Sequence, residues 1–474
     1  MKLARILPLL LSLRPSAWLF RVAAARAIFR RARHRPMVRA GVLLPFAFAS
    51  SLARSAEPTP VPPRLDLKGA IGFAIENNFA IRQARERIKQ QDGVTFEISA
   101  RSIPNVSANA AYQRNDTEIS GGFPPGNQSW QINLTASQAI YAGGGIRSAI
   151  KSSKLTREAA ALELQAVTND ALLQVRTAFY GVLLAREQIV VQESNLELLQ
   201  QQLKTATDRF DAGTVSSFEK LRAEVAMANA KVPLITARNT FRLAIESLRQ
   251  ALGFTTYTPE SVRQTPEFLG TLEFTPRNFD LQAVLDAARS NRPDLERIAK
   301  LAEARGEAVT TVRSGFYPNV AAFGGWTLRK GGTNSFGDSN NGWLVGVQSQ
   351  WDIFDGRATQ GRVLQAKSQL EQVKLSLTEA QLAVDVEVRR AHSQWQQATE
   401  LAEASARVVE QATEAVRLAN ARYNAGTSTQ LDVLAAQVDL TTAKTNQIQA
   451  YHGYNVAVAA LRKATGQVDE ILKP

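Results

Sequence analysis

Two runs of roughly 65 residues, from about Ile146 to Asp211 and from about Arg357 to Asn424, contain no proline and almost no glycine. Ala, Leu, Gln, Glu and Lys dominate both. At 1.5 Å per residue each run predicts a helix roughly 100 Å long, which no ordinary core can surround. Such a helix must lie against other helices, and heptad-like spacing marks the seam at Leu172, Val175, Phe179 and Val182, and again at Leu370, Val373, Leu377, Ala380 and Val384.

Each run stops at a glycine and restarts at once, which reads as the tip of a helical hairpin. Gly426 suits the left-handed closure of a helix, and Thr427 to Thr429 offer hydroxyls to the bare N–H groups of the next. The earlier tip repeats the pattern 213 residues upstream: Arg209/Arg422, Ala212/Ala425, Gly213/Gly426, Thr214/Thr427, Leu221/Leu434 and Ala223/Ala436 are identical. Pro104-Asn105-Val106 matches Pro318-Asn319-Val320, and Leu67–Asn77 matches Leu281–Asn291, both at an offset of 214. One unit of about 213 residues is therefore used twice, too long for a solenoid repeat and consistent with gene duplication.

Within each unit the period changes. Leu65 to Ser102 reads as helix, with a break expected near Asp92-Gly93. From Val106 the period falls from 3.6 to 2. Val106, Ala108, Ala110 and Tyr112 alternate, as do Trp130, Ile132, Leu134 and Ala136. The second unit repeats this at Val320, Ala322, Gly324 and Trp326, then at Trp343, Val345 and Val347. Each pair predicts a β-hairpin whose polar loop, 114–129 or 329–341, is long. The corners from strand to long helix fall at Gly143, Gly144 and Gly356. The triple glycine at 143–145 lacks the Lys-Ser/Thr that phosphate binding would need, so a corner explains it better.

The domain reading is accordingly an Arg-rich extension (1–36), a signal peptide (37–56), a first repeat (57–253), a linker (254–279), a second repeat (280–466) and a short tail (467–474). Eleven of the 13 surplus positive charges lie in the first 56 residues, which hold no acid, so the charge belongs to the leader rather than to a nucleic-acid surface. Met37 followed by the apolar 41–48 segment has the order of a secretory signal, with cleavage expected between Ala49 and Glu57. A twin-arginine signal at Arg30-Arg31 is the weaker reading. There is no cysteine, which excludes disulfides and acylation of an N-terminal cysteine. His34, His392 and His452 are too scattered for a metal centre or a catalytic base, and neither an enzyme nor a cofactor is expected.

Four strands cannot close a barrel, for which about eight are the minimum. If the hairpins enter a membrane, several copies must share one barrel. Otherwise they form a small soluble sheet on a secreted or surface coiled-coil structural protein. The four tryptophans at 130, 326, 343 and 351 are expected near membrane interfaces. Taken together, the paired helix, strand pair, long helix, Ala-Gly-Thr tip and return helix resemble the TolC-type outer-membrane efflux proteins. The most specific marks are Arg422-Tyr423-x-Ala425-Gly426-Thr427 with Leu431-Asp432-Val433-Leu434, Asp352-x-Phe354-Asp355-Gly356, and Asn77-Asn78 with Asn291-Arg292-Pro293-Asp294.

That resemblance implies a mainly α fold with membrane β: a homotrimer whose long antiparallel hairpins form an α-barrel continuous with a 12-stranded β-barrel. It implies an outer-membrane location with a long periplasmic domain, contact with outer-membrane lipid, and partners in a periplasmic adaptor (membrane fusion protein) and an inner-membrane transporter. It also makes Glu219, Asp432 and Tyr423 candidates for the periplasmic gate, and Ala212, Gly213, Thr214, Ala425, Gly426 and Thr427 candidates for adaptor docking. Glu219 and Asp432 are otherwise ordinary first-turn acids favoured by the helix dipole. Ser428 stands where some members carry an arginine.

Overall fold

The computed structural model describes residues 63–116, 128–254, 266–331 and 335–466. All of them belong to the larger of two units, 58–474. The expectations for the extension and signal peptide (1–36, 37–56), for most of the proline-rich start of the linker and for the tail (467–474) lie outside the described residues.

The elements run in chain order as β1 (Arg64–Leu65), α1 (Leu67–Asn77), α2 (Phe79–Ala100), β2 (Asn105–Arg114), β3 (Gln128–Ala142), α3 (Gly145–Asp211) and α4 (Ser217–Leu252). Then follow β4 (Glu267–Phe268), α5 (Leu281–Asn291), α6 (Pro293–Arg313), a 3₁₀ turn at Ser314–Phe316, β5 (Asn319–Lys330), β6 (Ser339–Gln350), α7 (Ala358–Asn424) and α8 (Gln430–Ala464). α3 and α7 each hold 67 residues, so each is roughly 100 Å long. Each packs along its return helix, α4 or α8, while α6 packs against both α3 and α7.

The break in the first helical stretch is not at Asp92-Gly93. It lies at Asn78, whose Oδ1 accepts hydrogen bonds from the backbone N–H of Ala80 (2.9 Å) and Ile81 (3.3 Å) and so starts α2. The asparagine side chain offers the backbone a better partner than continued helix does. A glycine inside a helix costs only about 1 kcal/mol, and α2 runs straight through Gly93. At the corresponding bend in the second half, Pro293 occupies the first helical position of α6, where its missing N–H is no loss.

Each half has its own apolar core where the long helix, the return helix and the short helices meet. Val175 and Val388, both 0 % exposed, stand at the same offset as Leu248 (1 %) and Leu461 (0 %). These residues sit at the centre of the two clusters. The first cluster is roofed by Phe268 of β4, edge-on to Phe179 and Phe241. The second is roofed by Phe279 against Trp395. His392 is used structurally, its Nε2 3.0 Å from the Phe279 carbonyl.

Both return helices end on a left-handed glycine pressed onto the bend between the short helices. A Cβ on Gly253 (φ 77°) would lie 2.4 Å from the Asn77 carbonyl oxygen, and one on Gly466 (φ 67°) would lie 2.9 Å from Arg292 Cα. The second bend adds a charge network. Arg292, largely buried, donates to both oxygens of Asp294 (3.0 and 2.8 Å) and to Glu387. Lys463 then joins Glu387 (3.0 Å) to Asp170 of α3 (3.1 Å). Burial alone would raise the Glu387 carboxyl, but hydrogen bonds from Arg292 and Lys463 outweigh it and hold the group below the usual carboxylate range.

The two locks generate a contrast with the tips. Gly253→Ala adds a steric clash to the strain of a left-handed alanine and is expected to cost about 3 kcal/mol. Gly213→Ala, with nothing within 4 Å of its Cβ position, is expected to cost only the backbone strain, about 1 kcal/mol. Heat or urea denaturation of the purified protein followed by circular dichroism checks the order.

Candidate functional site

The strand alternation read from the sequence resolves into a sheet with two unlike faces. Its order is β2-β3-β5-β6, antiparallel throughout. Directly paired residues share a face, so the register can be followed across all four strands. Ala108, Leu134, Trp326 and Trp343 form one transverse row; Val106, Ala136, Gly324 and Val345 form the next. This face is apolar and open, with Trp343 79 % and Val345 73 % exposed. The other face reads Asn109, Asn133, Thr327 and Gly342 in one row, and Ser107, Thr135, Gly325 and Leu344 in the next.

The apolar face is bounded by aromatic rings. At the loop end Tyr112 pairs with Trp130, whose Nε1 donates to the Phe336 carbonyl (3.1 Å). At the helix end stands Tyr141, just past a bulge between Ala139 and Tyr141. Nearby Trp351 donates to the Phe316 carbonyl (3.1 Å). With the bulge residue discounted, Trp130 to Tyr141 covers about 34 Å along the strand. Trp326 and Trp343 stand two rows inside the Trp130 end, so only Trp130 and Trp351 of the four lie at the margins. Arg114, Gln128, Arg329, Lys330 and Ser339 to Asn341, expected in the loops, belong to the strands.

The corners need glycine for two reasons. Gly143 (φ 56°) and Gly144 (φ 80°) adopt left-handed backbone, and a Cβ on Gly143 would meet Tyr317 at 2.8 Å. At the second corner Gly356 (φ 65°) is followed by Arg357 (φ 71°), the single non-glycine with positive φ among the described residues. The Thr359 N–H donates to Asp355 Oδ2 (2.7 Å), which caps the start of α7.

At the far end of the helices the two tips close alike and open differently. Gly213 and Gly426 both have φ 73°. The Thr214 N–H donates to the Arg209 carbonyl and the Thr427 N–H to the Arg422 carbonyl, each at 2.9 Å. This is the same six-residue closure twice. Both threonine hydroxyls turn back onto those carbonyls, so Thr427 does not serve the next helix. Thr429 does: its Oγ1 accepts from the Asp432 N–H, while Asp432 Oδ2 accepts from the Thr429 N–H (2.9 Å) and from the hydroxyls of Thr429 and Ser428 (2.8 Å each). These bonds, the Thr429 backbone first, lower the Asp432 pKa. Glu219 holds the equivalent third position of α4, but the Ser216 side chain makes no cap there. No hydrogen bond to the Glu219 carboxylate is found among the described residues.

The sequence reading gave Tyr423 a linking role but missed its partner. Arg209 lies over the Tyr423 ring, 4.6 Å from its centre, and donates to Asn424 Oδ1 (3.3 Å), tying the first tip to the second. Arg209 had been noticed only as an identity between repeats. Behind the tips the α3–α8 seam is polar. Asn195 Oδ1 faces Gln437 Nε2 (3.5 Å) and the Thr441 hydroxyl (3.2 Å), and Gln437 is only 3 % exposed. Ala212, Gly213, Thr214, Ala425, Gly426 and Thr427 are all exposed.

The family described as "Outer membrane efflux protein" matches residues 70–254 and 284–467. Protein CyaE of Bordetella pertussis is 25 % identical over 438 residues, 91 % of each chain. The cobalt-zinc-cadmium resistance protein CzcC of Cupriavidus metallidurans is 27 % identical over 396 residues, 81 % of this chain and 87 % of the other. Among solved structures, the outer membrane protein VceC of Vibrio cholerae superposes with a TM-score of 0.71 at 18 % identity, covering 84 % of this chain and 96 % of that one.

The unlike openings of the two tips set a test. Asp432→Asn removes the carboxylate that accepts three hydrogen bonds and is expected to raise amide hydrogen exchange across 429–434. Glu219→Gln should leave exchange across 216–221 unchanged. Hydrogen-exchange mass spectrometry of both variants checks this directly.

Proposed function

The chain belongs to the outer membrane efflux protein family, and we propose from that premise that it is the channel-tunnel of a tripartite efflux or type I secretion system. In this reading it is a homotrimer and a passive exit duct, docked to a periplasmic adaptor and an inner-membrane transporter. It performs no catalysis, requires no cofactor and binds no nucleic acid. The observation that carries the reading is the four-stranded sheet with one apolar face, one polar face and two bare edges, β2 and β6.

Unpaired edges are untenable in lipid, where each free backbone group costs several kcal/mol. Three copies joined β6 to β2 supply twelve strands, enough to enclose water rather than only side chains. At the tilt of about 40° usual for closed barrels the apolar band would stand about 26 Å tall, in agreement with the roughly 25 Å belt of outer-membrane barrels, and its aromatic margins agree with the girdles at both interfaces. A small soluble sheet would have no use for an exposed face of this kind.

The helices support the same assembly. Phe218, Leu221, Val225, Val232 and Ile235 of α4 follow a 3-4-7-3 spacing and are all more than half exposed. That seam lacks a partner within the chain and suits a helix of a neighbouring copy. The tips would then gather at the periplasmic end. Glu219 and Asp432, three copies each, would ring the axis beside Tyr423 and its Arg209 partner. The Ala212-Gly213-Thr214 and Ala425-Gly426-Thr427 turns would face the adaptor.

Two expected outcomes test this reading. Val345→Lys, on the apolar face, places three charges in the membrane at about 2–4 kcal/mol each and should abolish the detergent-resistant trimer seen by electrophoresis. Gln348→Lys, on the opposite face, should leave the trimer intact. Replacing Glu219 and Asp432 together by alanine should lower cation selectivity in planar-bilayer recordings while the trimer survives.

A further inference from the structure

The polar face of the sheet has a charge pattern that its family membership does not explain. β2, β3, β5 and β6 contain no Asp or Glu. Their three basic residues are Arg114, Arg329 and Lys330. By register Arg114 continues the Tyr112 side and Lys330 the Leu328 side, both apolar. Arg329 alone projects from the polar face, in the row Ala111, Gln131, Arg329 and Asn340. It is exposed, and no ion pair to it is found among the described residues.

We propose that Arg329 forms a cationic ring inside the outer segment of the duct and draws the anionic groups of passing solutes. The inference rests on the trimeric barrel described above. Twelve strands about 4.8 Å apart and tilted by about 40° enclose a backbone radius of about 12 Å, and an extended arginine reaches more than half-way to the axis. Three guanidinium groups therefore share a space comparable with the Debye length of about 8–10 Å at ordinary ionic strength. No carboxylate on the strand wall opposes them. The guanidinium fork matches carboxylate, phosphate and sulfate oxygens, and the amides of Gln131 and Asn340 lie beside it in the same row. The ligand class is the small oxyanion, whether free or part of a larger cargo.

The absence of cysteine from the chain permits a local measurement. Asn340→Cys puts a unique thiol opposite Arg329. Its reaction rates with an anionic and a cationic methanethiosulfonate are compared in the trimer reconstituted in vesicles, relative to a free thiol. The anionic reagent should be favoured, and adding Arg329→Gln should lower the anion-to-cation ratio about fivefold at low salt, an effect that high salt erases. Arg329→Glu should reverse the preference. Equal ratios in all three backgrounds would overturn the cationic ring and leave the barrel standing. Val345→Cys, on the apolar face, should react slowly with both reagents. If it reacts as fast as Asn340→Cys, the two faces are not lipid and lumen, and both the barrel reading and this one fall.

Discussion

A β-sheet edge with no partner is the constraint on which the rest of this structure depends. Within one chain the central strands satisfy each other, but β2 and β6 each leave a row of N–H and C=O groups open. The same strands carry a wide apolar face. Water solvates the edges and not the face; lipid solvates the face and not the edges. The closed ring of copies proposed above would satisfy both.

The helical part solves a different problem with the same economy. A helix of 67 residues gains little from propensity alone and needs a continuous apolar seam. Each long helix has one seam against its return helix and others against short helices, those of both halves for α3 and those of the second half for α7. Near the bends between the short helices those seams are apolar and anchored by the glycine locks. Toward the tips they turn polar, with Asn195, Gln437 and Thr441 in contact, so packing there depends on hydrogen bonds rather than on buried area.

Much of this was legible in the sequence because it is periodic. The alternation at Val106 to Tyr112 and at Trp343 to Val347 named residues that the register then collects on one face. Proline-free runs fixed the helix lengths, and glycines fixed the turns. What escaped the sequence depends on side chains competing for backbone groups or on elements remote along the chain. Asn78, not Gly93, ends a helix because its amide captures two N–H groups. Asp432 and Glu219 look alike in sequence, yet only Asp432 stands within reach of a threonine cap. Arg209 meets Tyr423 across 214 positions, and no local pattern announces such a contact.

The pairing of β3 with β5 bears on how the chain reaches its native state. Gln131 is paired with Arg329 and Leu134 with Trp326, so the middle of the sheet joins segments with a complete long helix and its return helix between them. Each hairpin is local and can form quickly, whereas their union waits until the chain has been made as far as β5, which ends at Lys330. Until then each hairpin is a two-stranded ribbon, marginal in water, with its tryptophans bare. The helical hairpins need no such delay, and the order of folding is therefore expected to run from helix to sheet, opposite to the order in which β2 and β3 leave the ribosome ahead of α3.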